Sequence, residues 1–177
     1  MRDSRKIFLV GLMGAGKTTV GRQLAYRLGK DFYDADHEVE ERTGVKVATI
    51  FEIEGEAGFR AREVEAIDRL TQLENVVLAT GGGAVIDPRN REHLAGRGFV
   101  IYLHGVPRDL WQRTRNDKSR PLLRNGDPLT KLKELYAVRD PLYREVADLT
   151  LDTGKQSVSS LMRQLLIQLP EECKLSA

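Results

Sequence analysis

One cysteine in 177 residues excludes an internal disulfide framework. That thiol, Cys173, stands in a polar tail, Pro170–Ala177, which reads as mobile and to which the sequence assigns no function. No apolar run approaches the ~20 residues that a membrane-spanning helix needs, so no membrane partner is expected. A large excess of one charge is missing too: 28 Lys and Arg face 26 Asp and Glu, for a formal charge of +2. Proteins that coat nucleic acid or an anionic membrane carry a strong basic excess, and this balance speaks against both partners. Arg2, Arg5 and Lys6 ahead of the apolar stretch Ile7–Met13 imitate a secretory signal, but Lys17 follows quickly and no A-x-A cleavage site appears. The expected setting is reducing and cytoplasmic. Internal repeats and long linkers are absent as well, so 1–177 reads as one domain.

What the chain does have is 41% hydrophobic and 31% charged residues, enough for a real core. Its basic side is uneven, with 19 Arg against 9 Lys. Arg grips carboxylates and phosphates through paired hydrogen bonds, and codon bias is the competing account of the skew. Apolar patterning predicts strands at Ile7–Val10, Phe32–Asp34, Val76–Thr80, Phe99–Leu103 and Leu149–Leu151. Between them, helices are expected at Lys17–Leu28, His37–Gly44, Val47–Ile53, Glu56–Leu73, Pro88–Leu94 and Pro107–Thr114. A helix from Leu129, kinked or interrupted at Pro141, and another over Ser157–Leu169 complete the set. Glu56–Leu73 is expected to turn Val64, Ile67, Leu70 and Leu73 inward. Arg115–Pro128 has no apolar periodicity and reads as a mobile loop. Strands alternating with helices imply an α/β fold, a parallel sheet with helices on both faces in a three-layer αβα sandwich.

Gly11-Leu12-Met13-Gly14-Ala15-Gly16-Lys17-Thr18 satisfies G-x-x-x-x-G-K-[ST] between a buried strand and an amphipathic helix. In such a loop, Gly14, Ala15, Gly16 and the residues through Thr19 wrap backbone N–H groups around phosphate oxygens at a helix N-terminus. Lys17 would hold the outer phosphates and Thr18 would ligate Mg²⁺. The loop establishes a nucleoside triphosphate site but not its use. No Asn-Lys-x-Asp for guanine follows a late strand, and Val76–Thr80 ends in Gly81 rather than in a metal-binding Asp. A small-molecule kinase is what remains at this size.

A kinase also needs a base for its acceptor and cations for developing charge. Asp34 and Asp36 end the second strand, and their i, i+2 spacing in an extended segment would point both the same way. A plainer role for Asp36 is to cap the helix near His37. Gly81-Gly82-Gly83 either lets a ligand approach the backbone or is a flexible turn. Arg60, Arg120 and Arg139 taken singly read as solvated helix arginines as readily as ligands.

Asp34-Ala35-Asp36, Gly55-Glu56-Ala57-Gly58-Phe59-Arg60, Gly81-Gly82-Gly83, Arg120-Pro121-Leu122-Leu123 and Arg139-Asp140-Pro141-Leu142-Tyr143, behind the phosphate loop, resemble shikimate kinase from about Lys6 to Leu169. The resemblance implies ATP-dependent phosphorylation of the shikimate 3-hydroxyl, en route to aromatic amino acids. It also implies a five-stranded parallel sheet in the order 2-3-1-4-5, an acceptor-binding segment near 34–62 and a lid near 113–128. It makes Asp36 the base and a substrate ligand, and it brings Asp34 to Mg²⁺ through water. Arg60, Arg139 and the Gly82 backbone become substrate contacts, with Arg120 as the lid arginine on the phosphates. Arg113 and Gln156 fall near positions that flank adenine, in a variable part of the pattern. ATP and Mg²⁺ are thus the implied cofactors, shikimate the small-molecule partner and a monomer the implied state. A gluconate-type kinase, or a nucleotide-binding module without turnover, stand as the alternatives.

Overall fold

The computed structural model describes residues 2–118, 123 and 126–176. Arg120 and the motif neighbours Pro121 and Leu122 lie outside the described residues. Five parallel strands form one sheet: β1 (Ile7–Val10), β2 (Asp31–Asp34), β3 (Val76–Ala79), β4 (Phe99–His104) and β5 (Leu149–Asp152). Their order is β2-β3-β1-β4-β5, as the family resemblance implied. β1 sits in the middle, with Ile7 in register with Val77 on one side and Phe99 on the other. Neighbours on both edges and helices on both faces explain why this strand is apolar at every position, whereas the edge strands β2 and β5 alternate or stay half-exposed.

The helices are α1 (Lys17–Leu28), α2 (Ala35–Thr43), α3 (Val47–Leu70), α4 (Pro88–Arg97), α5 (Pro107–Thr114), α6 (Pro128–Val146), α7 (Val158–Gln168) and α8 (Glu171–Lys174). Three differ in kind from the expectation. The two helices expected on either side of Gly55 join into α3, bent where Gly55 adopts φ 73°, a left-handed conformation suited to glycine. Its buried stripe is Phe59, Glu63, Ala66, Ile67 and Leu70, while Val64 turns to a half-exposed flank. α6 passes through Pro141 without stopping: Arg139 and Tyr143 on either side are buried, and that anchoring offsets the one missing backbone donor.

The tail is likewise ordered rather than mobile. Cys173 is fully buried in the core, and the Lys30 ammonium donates to the Leu175 carbonyl at 2.5 Å and to Asn75 Oδ1 at 3.2 Å. These bonds hold the tail against the turns after α1 and before β3. Among the described residues no helix is long and apolar enough to cross a membrane.

Because all strands run the same way, the segments after β1, β2 and β3 emerge side by side at the carboxyl edge of the sheet. That edge, where connections from the central strand diverge, is where open α/β sheets bind ligands. It carries the phosphate loop, the Asp34–Asp36 turn and the three glycines.

Candidate active site

Two clefts meet at this edge. The first, about 830 Å³ up to its open mouth, is lined by Gly14, Gly16, Lys17, Thr18, Thr19, Asp34, Asp36, Thr80, Arg113, Thr114 and Asp117, together with Met13, Gly81 and Gly82. Gly14 and Gly16 hold φ of 83° and 94°, and a Cβ at Gly14 would come within 2.7 Å of Thr114 Cγ2. The loop is therefore a tight backbone cradle at the start of α1. Ala15 is buried behind it, with its N–H on the Leu12 carbonyl at 3.2 Å. Lys17 Nζ donates to the Gly11 and Leu12 carbonyls at 2.6 and 3.0 Å, which keeps the ammonium curled over the loop. Thr18 Oγ1 donates to Asp34 Oδ2 at 2.8 Å.

That last bond corrects the expected geometry of the two aspartates. β2 stops at Asp34, whose other carboxylate oxygen caps α2 by accepting from the N–H groups of Asp36 and His37. The cap is Asp34, not Asp36, and the i, i+2 spacing runs from a strand end into a helix rather than along a strand. Asp36 still reaches the cleft because the first turn of α2 rises from the sheet edge beside the glycines. A hydroxyl and a carboxylate at the mouth of the phosphate loop fit Mg²⁺, which takes few protein oxygens and completes its shell with phosphate and water.

Arg113 joins the phosphate loop to the segment after β5: its guanidinium donates to Gly14 O at 3.2 Å, to Thr153 O at 2.9 Å and to Gly154 O at 2.7 Å. Gln156 instead bonds the Asp152 carbonyl at 2.6 Å and Ser160, outside the lining of the cleft.

The second cleft, about 460 Å³, is lined by Met13, Asp36, Val47, Phe51, Phe59, Arg60, Glu63, the three glycines and Arg139. Met13, Asp36, Gly81 and Gly82 belong to both clefts, so the two share a wall. Each glycine touches a different ionic group. A Cβ at Gly81 would lie 2.8 Å from both Asp36 Oδ1 and Glu63 Oε2; at Gly82 it would lie 3.5 Å from Arg139 Nη1; at Gly83 it would clash with the Arg60 guanidinium. The triplet is thus not a flexible turn but the floor on which the charged side chains rest. Substituting Gly83→Ala pushes the Arg60 guanidinium aside. The end of that side chain is flexible, so the fold should survive while shikimate affinity falls by about tenfold, the scale of one charge-assisted hydrogen bond. Substrate titration with a thermal melt beside it checks this.

Glu63 is the charged residue lining the cleft that sequence reading missed. It is 1% exposed, and Arg60 Nη1 donates to its Oε1 at 2.9 Å. Burial, helped by the Asp36 charge and opposed by Arg60, pushes its carboxyl up to about 7. Arg60 is itself weakened by burial, but Glu63 and Glu56 outweigh that and raise its pKa. The available signal was a charge on the buried stripe of α3, four residues from Phe59 and from Ile67. Phe51 and Phe59, rings 5.0 Å apart, form the apolar wall and were also missed.

Arg139 differs from Arg60. It is 2% exposed, and among the described residues no carboxylate lies within ion-pair distance of it. Burial lowers its pKa below the usual arginine range, with the Arg60 charge adding to the effect and Tyr143 opposing it. A buried guanidinium without a carboxylate, facing a cleft, calls for an anion.

The model of one protein family, described as shikimate kinase, matches residues 13–170. The chain belongs to the shikimate kinase family. It is 64% identical to the shikimate kinase of Thiobacillus denitrificans over 93% of this chain and 90% of that protein. The solved shikimate kinase from Acinetobacter baumannii, in complex with shikimate, superposes with a TM-score of 0.89 at 51% identity, covering 91% of this chain and 90% of that one. A gluconokinase from Sinorhizobium meliloti shares the fold at 20% identity and a TM-score of 0.58, covering 96% and 93% of the two chains. The protein is therefore a kinase enzyme of the shikimate kinase family, with ATP and Mg²⁺ as cofactors.

Proposed function

We propose that the larger cleft holds the nucleotide and the smaller one the acceptor, and that their shared wall is where the phosphoryl group crosses. The activity is transfer of a phosphoryl group from ATP to the 3-hydroxyl of shikimate, the step of a shikimate kinase in aromatic biosynthesis. Arg139 carries this reading: a buried, carboxylate-free guanidinium beside Asp36 suits a molecule bearing both a carboxylate and hydroxyls.

When bound, Mg²⁺ supplies charge neutralisation on the transferring phosphates. Thr18 and Asp34 are the residues that would hold it, Thr18 directly and Asp34 through water. The N–H groups from Gly14 to Thr19 bind and orient the phosphates, and Lys17 exchanges its carbonyl partners for them. Asp36, lining both clefts, orients the acceptor hydroxyl and takes its proton. Arg60 and Arg139 grip the carboxylate, and the Gly82 backbone steadies the ring. Arg120 keeps the phosphate role that the resemblance gives it, in the segment 113–128 that we assign as the lid, with 34–62 as the acceptor-binding segment. Arg113 anchors the adenine side through Gly14, with Gln156 as a more distant neighbour of the base.

Both clefts lie on one continuous parallel sheet, which supports a single catalytic domain, and a monomer is the state proposed with it. A free, buried thiol and the use of ATP support a cytoplasmic setting.

A coupled ADP-release assay tests the reading. Shikimate should drive ADP release far above gluconate or nucleoside monophosphates. Equal rates with gluconate would move the protein to the polyol-acid alternative, and no transfer to any acceptor would make it a binding module.

A further inference from the structure

Tyr143 belongs to the Arg139–Tyr143 motif but has no part in the chemistry above. Its side chain is fully buried, so its hydroxyl needs partners within the protein. The hydroxyl donates to the carbonyl of Gly82, the central glycine of the acceptor floor. Its oxygen keeps lone pairs for a second contact. Arg139, one helical turn earlier on α6, rests its guanidinium against the same glycine: a Cβ at Gly82 would lie 3.5 Å from Arg139 Nη1.

The ring is braced from behind. Tyr102 on β4 packs against it with centroids 4.9 Å apart, and the Tyr102 hydroxyl returns to α6 by donating to Asp140 Oδ1 at 2.7 Å. Arg144 Nε holds the other oxygen of Asp140 at 3.0 Å. The Tyr102 ring thus holds the phenol from the sheet side before any ligand arrives, whereas the Tyr102 hydroxyl bond goes to Asp140 and does not touch the phenol.

Fixing the Gly82 carbonyl has a geometric result. In a trans peptide the C=O and N–H point to opposite sides, so holding the carbonyl on the core side turns the N–H of Gly83 away from the core. Glycine would otherwise leave this peptide free to rotate. A single hydroxyl therefore controls the orientation of a floor peptide against which the buried guanidinium rests.

We propose that Tyr143 is a positioning residue for the acceptor pocket: through its bond to Gly82, the glycine against which Arg139 rests, it fixes the pocket's backbone and its carboxylate-binding cation relative to each other. The inference rests on the assignment of the smaller cleft to shikimate and adds the residue that preorganises it.

Tyr143→Phe keeps the ring and removes the hydroxyl. The expected result is a KM for shikimate raised about tenfold, with the KM for ATP within about twofold and kcat changed less than KM. Tyr102→Phe is the matched control. It deletes a hydroxyl bond one ring away, lowers stability comparably, and should leave the shikimate KM unchanged. A thermal melt of both variants confirms that each is folded at the assay temperature. The proposal is overturned by a shikimate KM within about twofold of the parent in Tyr143→Phe. An equal rise in Tyr102→Phe, or an equal rise in the ATP KM, overturns it too, because either outcome means general loosening. Arg139→Ala, measured alongside, separates the two levels of argument. A large KM effect there with none in Tyr143→Phe removes only the role of Tyr143, while no effect in either removes the acceptor-site assignment as well.

Discussion

Asp36→Asn should lower turnover by at least about 10²-fold, the scale of a lost general base. Asparagine keeps the size and shape of the side chain but cannot take a proton from an acceptor hydroxyl. Asp36 is the expected base because, among the described carboxylates, it alone lines both clefts. Asp34 faces the nucleotide side, where it accepts from Thr18, and Glu63 faces the acceptor side under Arg60. Asp34 is further committed by its capping bonds to Asp36 and His37. Glu63 has a carboxyl raised to about 7, a value that suits a base, but its carboxylate is engaged by Arg60 and lines only the acceptor cleft. Steady-state kinetics at saturating substrates decide the point, with both KM values determined. Near-parental kcat in Asp36→Asn would falsify the assignment and turn attention to Glu63.

The second large effect belongs to Arg139→Ala. Its signature is a KM for shikimate raised about 10- to 10²-fold, with the ATP KM preserved. The lost energy is that of hydrogen bonds to a charged group, about 1.5–3 kcal/mol in a desolvated pocket. Most of it is ground-state binding, so kcat should fall less than KM rises. No carboxylate pairs with Arg139 among the described residues, so the substitution orphans no buried anion, and the fold should tolerate it better than loss of Arg60. Arg139→Lys should recover only part of the affinity, since an ammonium offers a point charge where a planar fork meets a carboxylate. An unchanged KM in Arg139→Ala removes the carboxylate from this end of the pocket.

Much of the site was legible because its chemistry is written in short local motifs. The phosphate loop needs glycines at fixed offsets from Lys17, and a strand and helix on either side, all within about twenty consecutive residues. Arg139 was visible only through the family motif around it. By composition it looked like another helix arginine, and its burial comes from α6 lying against the glycine floor. Glu63 was hidden for the opposite reason. Its helix was read by apolar spacing, and a charged residue on the inner stripe breaks the very pattern used to find that stripe. Ile67 and Leu70 face inward as expected, but Glu63 rather than Val64 continues the stripe toward Phe59.

The role of Asp34 as cap rather than Asp36 turned on where α2 begins: β2 ends at Asp34 as expected, but the helix starts at Ala35, two residues before His37. Element ends vary most in sequence reading because the last hydrogen bond of a strand and the first of a helix are alternatives for the same backbone. The bend at Gly55 was likewise read as a gap between helices, since glycine marks a break in either case. Sheet order came from resemblance: five apolar runs do not state which neighbours pair.

The lone thiol gives the chain an optical handle that needs no engineering. Buried on the inner side of α8, Cys173 has its pKa pushed up by burial to about 11, so only on the order of 10⁻⁴ of it is thiolate at neutral pH. A thiol reagent can reach it only when the last helix lifts from the turns it rests on. The rate of labelling then reports how often that helix opens, one molecule at a time and free of any competing cysteine.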